Sequence, residues 1–205
     1  MALSLRILVV EDEGAQAQAL RLSLERLGHQ VVAVCAEGSE ACRLRAELQP
    51  DLVLMDLGLR GMDGLEAAAR MNRASPLPVI IVTALADRRF LAAAREAGVY
   101  GYLLKPVEES LLGPAIEAAW QGFQRVRDLE QEVADLRQEI RTRKLVGRAV
   151  GIVMERLGMG EKQARRHLEA ESRRQGLSLA QVAESVIAAE ERERRQPPHR
   201  PRRRR

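Results

Sequence analysis

Five short hydrophobic runs punctuate the first half of the chain, and each is followed by a segment whose apolar residues recur at helical spacing. The runs are Leu5 to Val10, Val31 to Cys35, Leu52 to Met55, Pro78 to Thr83 and Tyr100 to Leu104. Leu52-Val53-Leu54-Met55 has no polar alternation, the pattern of a parallel strand covered on both faces. Residues 14–27, 37–48, 63–73 and 87–97 read as helices, with Gly28 and Gly98 as stops and Pro50 ending the second. Strand–helix alternation with right-handed crossovers predicts an α/β fold, a (βα)5 doubly wound parallel sheet with helices on both faces.

From Glu108 to about Leu157 the pattern is helical almost without interruption, Gly113-Pro114 near its start being tolerated as a first-turn proline. Val126, Leu129, Val133, Leu136 and Ile140 are spaced 3, 4, 3 and 4 with charged flanks. That is a coiled-coil seam, and it predicts a homodimer. Gly158-Met159-Gly160 breaks the helix. Residues 161–174 form a second helix, and Ser178 caps a third running to about Arg194. Leu145, Ala149, Ile152, Val153 and Leu157 offer an apolar face, which Leu168 and then Leu179, Val182, Ala183, Val186 and Ile187 complete. Short helices bury such faces only by packing together, so a small three-helix all-α domain is expected. Pro197, Pro198 and Pro201 end regular structure, and the Arg-rich tail is expected to be disordered.

Charge divides the chain in two. Residues 1–120 carry 12 Lys and Arg against 16 Asp and Glu, whereas residues 121–205 carry 21 against 13. An acidic half followed by a basic half predicts separate tasks, the second pointing to nucleic acid. No aromatic residue follows Phe123, so an RNA reader built on aromatic stacking is excluded. No apolar run reaches the ~20 residues of a membrane helix. The two cysteines, Cys35 and Cys42, have neither metal-ligand spacing nor a disulfide framework. A cytoplasmic protein with reduced thiols and no membrane partner is expected.

The chemistry lies at the strand ends. Glu11 and Asp12, Asp56, Thr83 and Lys105 each close or directly follow a hydrophobic run. In an open α/β sheet these ends meet at one edge, where ligands bind. Three carboxylates there repel one another, and a divalent cation removes the conflict. Oxygen-only ligands suit Mg²⁺. Asp56 is then a nucleophile for a phosphoryl group, with Lys105 neutralising charge and the Thr83 hydroxyl donating to the phosphoryl.

These residues resemble a response-regulator receiver domain over about residues 5–120. The match is carried by Glu11-Asp12, Asp56, Thr83 with Ala84, Lys105-Pro106 and Tyr102 at the family's aromatic switch position. The resemblance implies a flavodoxin-like fold with strand order 2-1-3-4-5. It also implies Asp56 as phosphoacceptor, Thr83 and Tyr102 as switch residues, and a sensor histidine kinase as phosphodonor. Mg²⁺ would be held by Asp12 directly, by Glu11 mainly through water, by Asp56 and by the Gly58 carbonyl. Glu11 departs from the family's commoner Asp, and Gly58-Leu59-Arg60 lacks the proline of many relatives.

In the basic half, Arg143-Lys144-Leu145, then Ala149, Gly151-Ile152-Val153-Met154, Gly158, Glu161, Ala164, Leu168 and Val182-Ala183 resemble the ANTAR domain over about residues 133–190. That family is a three-helix RNA-binding antiterminator output. The resemblance implies RNA hairpins as partners and Arg143, Lys144, Arg148, Ala149, Gly151 and Arg165 as contact residues. Val150 replaces a Lys of many members, and Arg165 an aromatic. The expected organisation is a receiver over 1–120, a coiled-coil linker over 121–142, the three-helix domain over 143–192 and a tail over 193–205. The expected function is a phosphorylation-dependent, non-enzymatic response regulator that binds RNA and controls transcription termination, dimerising on phosphorylation. A DNA-binding response regulator and a receiver-gated protein-interaction module are the alternatives.

Overall fold

The computed structural model describes residues 3–84, 94 and 96–195. It divides into two compact units, Met1–Leu129 and Glu130–Arg205. The first holds β1 (Arg6–Val10), α1 (Gly14–Arg26), β2 (Gln30–Cys35), α2 (Gly38–Leu48), β3 (Leu52–Asp56), α3 (Gly64–Ala74), β4 (Val79–Thr83) and β5 (Val99–Leu104), in that order. The helix expected over 87–97 lies outside the described residues, as does the tail.

All strand pairs are parallel, in the order β2-β1-β3-β4-β5. The period-2 pleat sends alternate residues of each central strand to opposite faces. Leu8, Val10, Val53, Met55, Val79 and Ile81 pack on one side with Ala41 of α2 and Ala67, Ala68 and Met71 of α3. Ile7, Val9, Leu52, Leu54, Ile80 and Val82 pack on the other with Leu20 and Leu24 of α1. Every residue of β3 and β4 is buried, as the lack of polar alternation requires. Burial and the neighbouring Glu40 push the Cys35 thiol up to about 12. Both cysteines are free.

Helix α4 (Glu109–Leu157) contributes to both units. Its first turns seal the second face of the sheet through Leu112, Ile116 and Ala119, all fully buried. Phe123 extends the contact, edge-on to Tyr100 at 5.5 Å between ring centroids. Pro114 lies in the second turn rather than the first, and the helix runs through it. An interior proline costs about 3 kcal/mol. Each buried Leu or Ile returns about 1.5–3 kcal/mol, so packing outweighs the lost hydrogen bond.

In the second unit, α4 is followed by α5 (Glu161–Gln175) and α6 (Leu179–Arg195). Gly158 and Gly176 take positive φ at the two breaks, where other residues are strained. Ser178 and Gln181 cap α6 reciprocally: the Ser178 N–H donates to Gln181 Oε1 at 2.8 Å and Ser178 Oγ accepts from the Gln181 N–H at 3.3 Å. The core joins Val146, Ala149, Val150, Ile152 and Val153 to Ala164 and Leu168 of α5 and Val182, Ala183 and Ile187 of α6. Leu157, expected on this face, is 53% exposed, because the helix ends there and Gly158 turns the chain away. Val146 and Val150 take the buried positions instead.

Candidate functional site

The carboxyl end of the sheet gathers the predicted strand-end residues. Register does this: β1 and β4 both pair with β3, so Val10, Asp56 and Thr83 finish side by side. Glu11 follows β1 directly and is tied to β2 by its N–H, which donates to the Cys35 carbonyl at 2.9 Å. The Lys105 N–H donates to the Thr83 carbonyl at 2.9 Å, bringing the residue after β5 to the end of β4. Glu11, Asp56 and Thr83 are the buried polar residues of the described chain. Carboxylate oxygens of Glu11, Asp12 and Asp56 lie within 4.8 Å of one another.

One cation faces this group from inside. Lys105 Nζ donates to Asp56 Oδ2 at 2.9 Å and to Glu11 Oε1 at 3.1 Å. Glu11 Oε2 is also 2.8 Å from the ammonium but outside hydrogen-bond geometry, so this buried oxygen has a charge contact and no hydrogen bond. Burial alone would lower the Lys105 pKa, but its bonds to Glu11 and Asp56 outweigh that and hold it above the ordinary value. Arg60 Nε lies 3.4 Å from Asp12 Oδ2, a contact the sequence reading missed. Asp56 Oδ1 accepts from the Gly58 N–H at 3.2 Å, which curls the following loop over the carboxylate. Gly64 lets α3 start against this loop: a Cβ there would lie 2.3 Å from the Asp56 carbonyl oxygen. Tyr102 is 60% exposed. Three carboxylates against one half-buried ammonium and the exposed Arg60, with one oxygen lacking a hydrogen bond, form an all-oxygen site of net negative charge. It fits Mg²⁺.

The second unit carries a groove of about 500 Å³ whose lining includes Arg143, Gly147, Gly151, Met154 and Arg165. The predicted RNA residues divide around it. Arg143, Gly151 and Arg165 line the groove together. Lys144 is exposed. Arg148 is also exposed and is not part of the groove lining, its Nη2 donating to Glu191 Oε1 at 2.7 Å. Ala149 is fully buried in the three-helix core with residues of α5 and α6. Val150 is buried too, so its replacement of Lys is a packing choice here. Gly147 went unnoticed in the sequence, although its position four before Gly151 places it on the same helix face.

Comparison with known proteins bears on both units. The model of the response regulator receiver domain matches residues 7–117, more than half of the chain, and that of the ANTAR domain matches residues 134–187. The chain belongs to the response regulators. The transcriptional regulatory protein PdtaR of Mycobacterium tuberculosis is 36% identical over 182 residues, 89% of each chain. Among solved structures, a two-component response regulator of the LuxR family from Aurantimonas sp. SI85-9A1 is 35% identical, with a TM-score of 0.56. It covers 66% of this chain and 99% of that one. The signal receiver domain of a modulated diguanylate cyclase from Desulfovibrio desulfuricans G20 is 38% identical at a TM-score of 0.55 over 58% of this chain and 96% of its own. This response regulator thus joins a receiver to an ANTAR output and acts as an RNA-binding antiterminator. Both matched domains are regulatory. Among the described residues, no helix is long and apolar enough to cross a membrane.

Proposed function

We propose that Asp56 is the phosphoacceptor of this response regulator, that a sensor histidine kinase is its donor, and that the phosphorylated chain binds RNA hairpins as a homodimer. The observation that carries the first part is the half-buried Lys105 held between Asp56 and Glu11, with Asp12 alongside. Glu11, Asp12, Asp56 and the Gly58 carbonyl would hold Mg²⁺, which would supply positive charge to the oxygens of the transferring phosphoryl group. An Asp56 carboxylate oxygen bonds to phosphorus as the phosphorus–nitrogen bond of the donor phosphohistidine breaks, and the imidazole nitrogen leaves with the bonding pair. Lys105 keeps Asp56 oriented and neutralises charge that builds on the phosphoryl oxygens. Thr83 then donates its hydroxyl to the phosphoryl group, and Tyr102 reports the change on the exposed side of β5.

In the output, Arg143 and Arg165 take RNA phosphates or loop bases, with Lys144 and Arg148 adding charge along the exposed side of α4. Gly151 lets RNA approach the helix closely. The residues Val126, Leu129, Val133, Leu136 and Ile140 are each 41–54% exposed, an apolar seam that supports pairing with a second copy. The working division is 1–120 receiver, 121–142 linker and 143–192 output, in a cytoplasmic protein to which we assign no enzymatic output. The deciding experiment is labelling by a phosphodonor in Mg²⁺. Asp56→Asn and chelation by EDTA should each abolish it, and stoichiometric labelling of Asp56→Asn would remove Asp56 from the role.

A further inference from the structure

The last turns of α6 carry three carboxylates, Glu190, Glu191 and Glu193, and all three are turned onto arginines of α4. Arg148 Nη2 meets Glu191 Oε1 at 2.7 Å. Arg156 Nη2 meets Glu190 Oε2 and Glu193 Oε2, each at 2.6 Å. Carboxylates near a helix C-terminus are unfavourable with respect to the helix dipole, which prefers cations there. Glu190 also meets Arg194 of its own helix at 2.7 Å, a pair that steadies the turn, whereas Glu191 is turned onto Arg148 of α4. Arg148 and Glu191 are 57% and 47% exposed. An ion pair so open to water contributes little to folding. It is, however, as strong a local competitor as an exposed phosphate contact, because both are one guanidinium against one oxyanion in water. Arg156 is held by two carboxylates and is 35% exposed, so it is the more firmly occupied of the two.

We propose that the acidic end of α6 is an intramolecular stand-in for RNA phosphate, with Glu191 occupying Arg148 and Glu190 with Glu193 occupying Arg156. RNA must displace Glu191 before Arg148 joins the contact. Glu191 thereby sets a threshold that weak, sequence-independent binders do not pass, and it is a specificity-determining residue acting through Arg148. The inference rests on the RNA-binding reading of the output. Arg148 lies four residues after Lys144 and three before Gly151, on the same exposed side of α4, so a strand of RNA there meets it once Glu191 lets go.

The test uses the full chain and two probes: single-stranded poly(U), and a pool of stem–loop RNAs with a randomised loop. Wild type, Glu191→Gln, Arg148→Ala and the double variant are titrated over a range of salt. Glu191→Gln should bind poly(U) more tightly at low salt, by up to about fivefold, the equivalent of one exposed ion pair. Its plot of log affinity against log salt should steepen by about 0.7, one more phosphate neutralised on a single strand. The preference for the stem–loop pool over poly(U) should fall. In the Arg148→Ala background the same substitution should do none of this. With thermal midpoints matching wild type, unchanged or weaker binding by Glu191→Gln overturns the inference, because Glu191 would then be idle or would be orienting Arg148. An equal gain without Arg148 overturns it as well, since that is a general loss of negative charge. If wild type and Glu191→Gln bind neither probe, the RNA reading itself fails. Normal wild-type binding with an indifferent Glu191→Gln removes only this inference.

Discussion

At the scale of single residues, the acidic site turns on Lys105. Its side chain is 17% exposed and faces carboxylates that are 1% and 10% exposed at Glu11 and Asp56. Removing one partner from a buried ion pair costs about 3–5 kcal/mol, because the other charge is left without compensation. Lys105→Met should therefore destabilise the first unit. Mg²⁺ offers the same carboxylates another counter-charge, so binding it should recover much of the loss. The measurement is a thermal midpoint in EDTA and in saturating Mg²⁺. Wild type should gain less from Mg²⁺ than Lys105→Met does, and an equal gain in both would mean that lysine and metal do not answer to the same charges.

At the scale of elements, α4 exposes two surfaces that invite opposite substitutions. Near Gly151 an added Cβ would meet nothing within 4 Å, so the fold has room for a side chain. Glycine inside a helix is about 1 kcal/mol less favourable than alanine. Gly151→Leu should thus leave the second unit as stable as wild type or more so, while filling the groove between Arg143 and Arg165. Competition binding should show reduced preference for a cognate hairpin over a scrambled one, and unchanged preference would remove the groove from the contact. The seam behaves differently. Leu136 is 51% exposed in the single chain, so Leu136→Asp should cost the monomer little. In a coiled coil the same position is buried, and an unpaired charge there costs several kcal/mol. Sedimentation of the phosphorylated chain should show loss of the dimer, whereas an unchanged dimer would place the contact on another surface.

At the scale of the whole molecule, the acidic receiver and the basic output communicate only if phosphorylation and RNA binding share a coupling free energy. Such couplings are typically about 1–3 kcal/mol, or about 5- to 150-fold in affinity. RNA binding should therefore tighten by a factor in that range when the receiver is phosphorylated in Mg²⁺. Asp56→Asn should keep the basal affinity and lose the increase. Titration of both proteins with and without phosphodonor checks this, and equal affinities for wild type in the two states would mean that the receiver does not gate the output through binding.

The element order, the buried character of β3 and β4, the strand-end position of Glu11, Asp56, Thr83 and Lys105, and the break at Gly158 were all legible in the sequence. They depend on periodicity and turn chemistry over a few residues, which a linear pattern carries. What the tertiary structure decided lies between residues far apart in the chain. Lys105 reaches Glu11 across 94 positions and Asp56 across 49, and only the packed sheet selects those partners over solvent. The same holds in the output. Ala149, Val150 and Arg148 are consecutive in a helix that is basic and apolar by turns. Docking of α5 and α6 buries Ala149 and Val150 and gives Arg148 to Glu191, 43 residues away. Helical periodicity named the residues on that helix, but which face became core, which became groove and which met a carboxylate was fixed by where the other two helices pack.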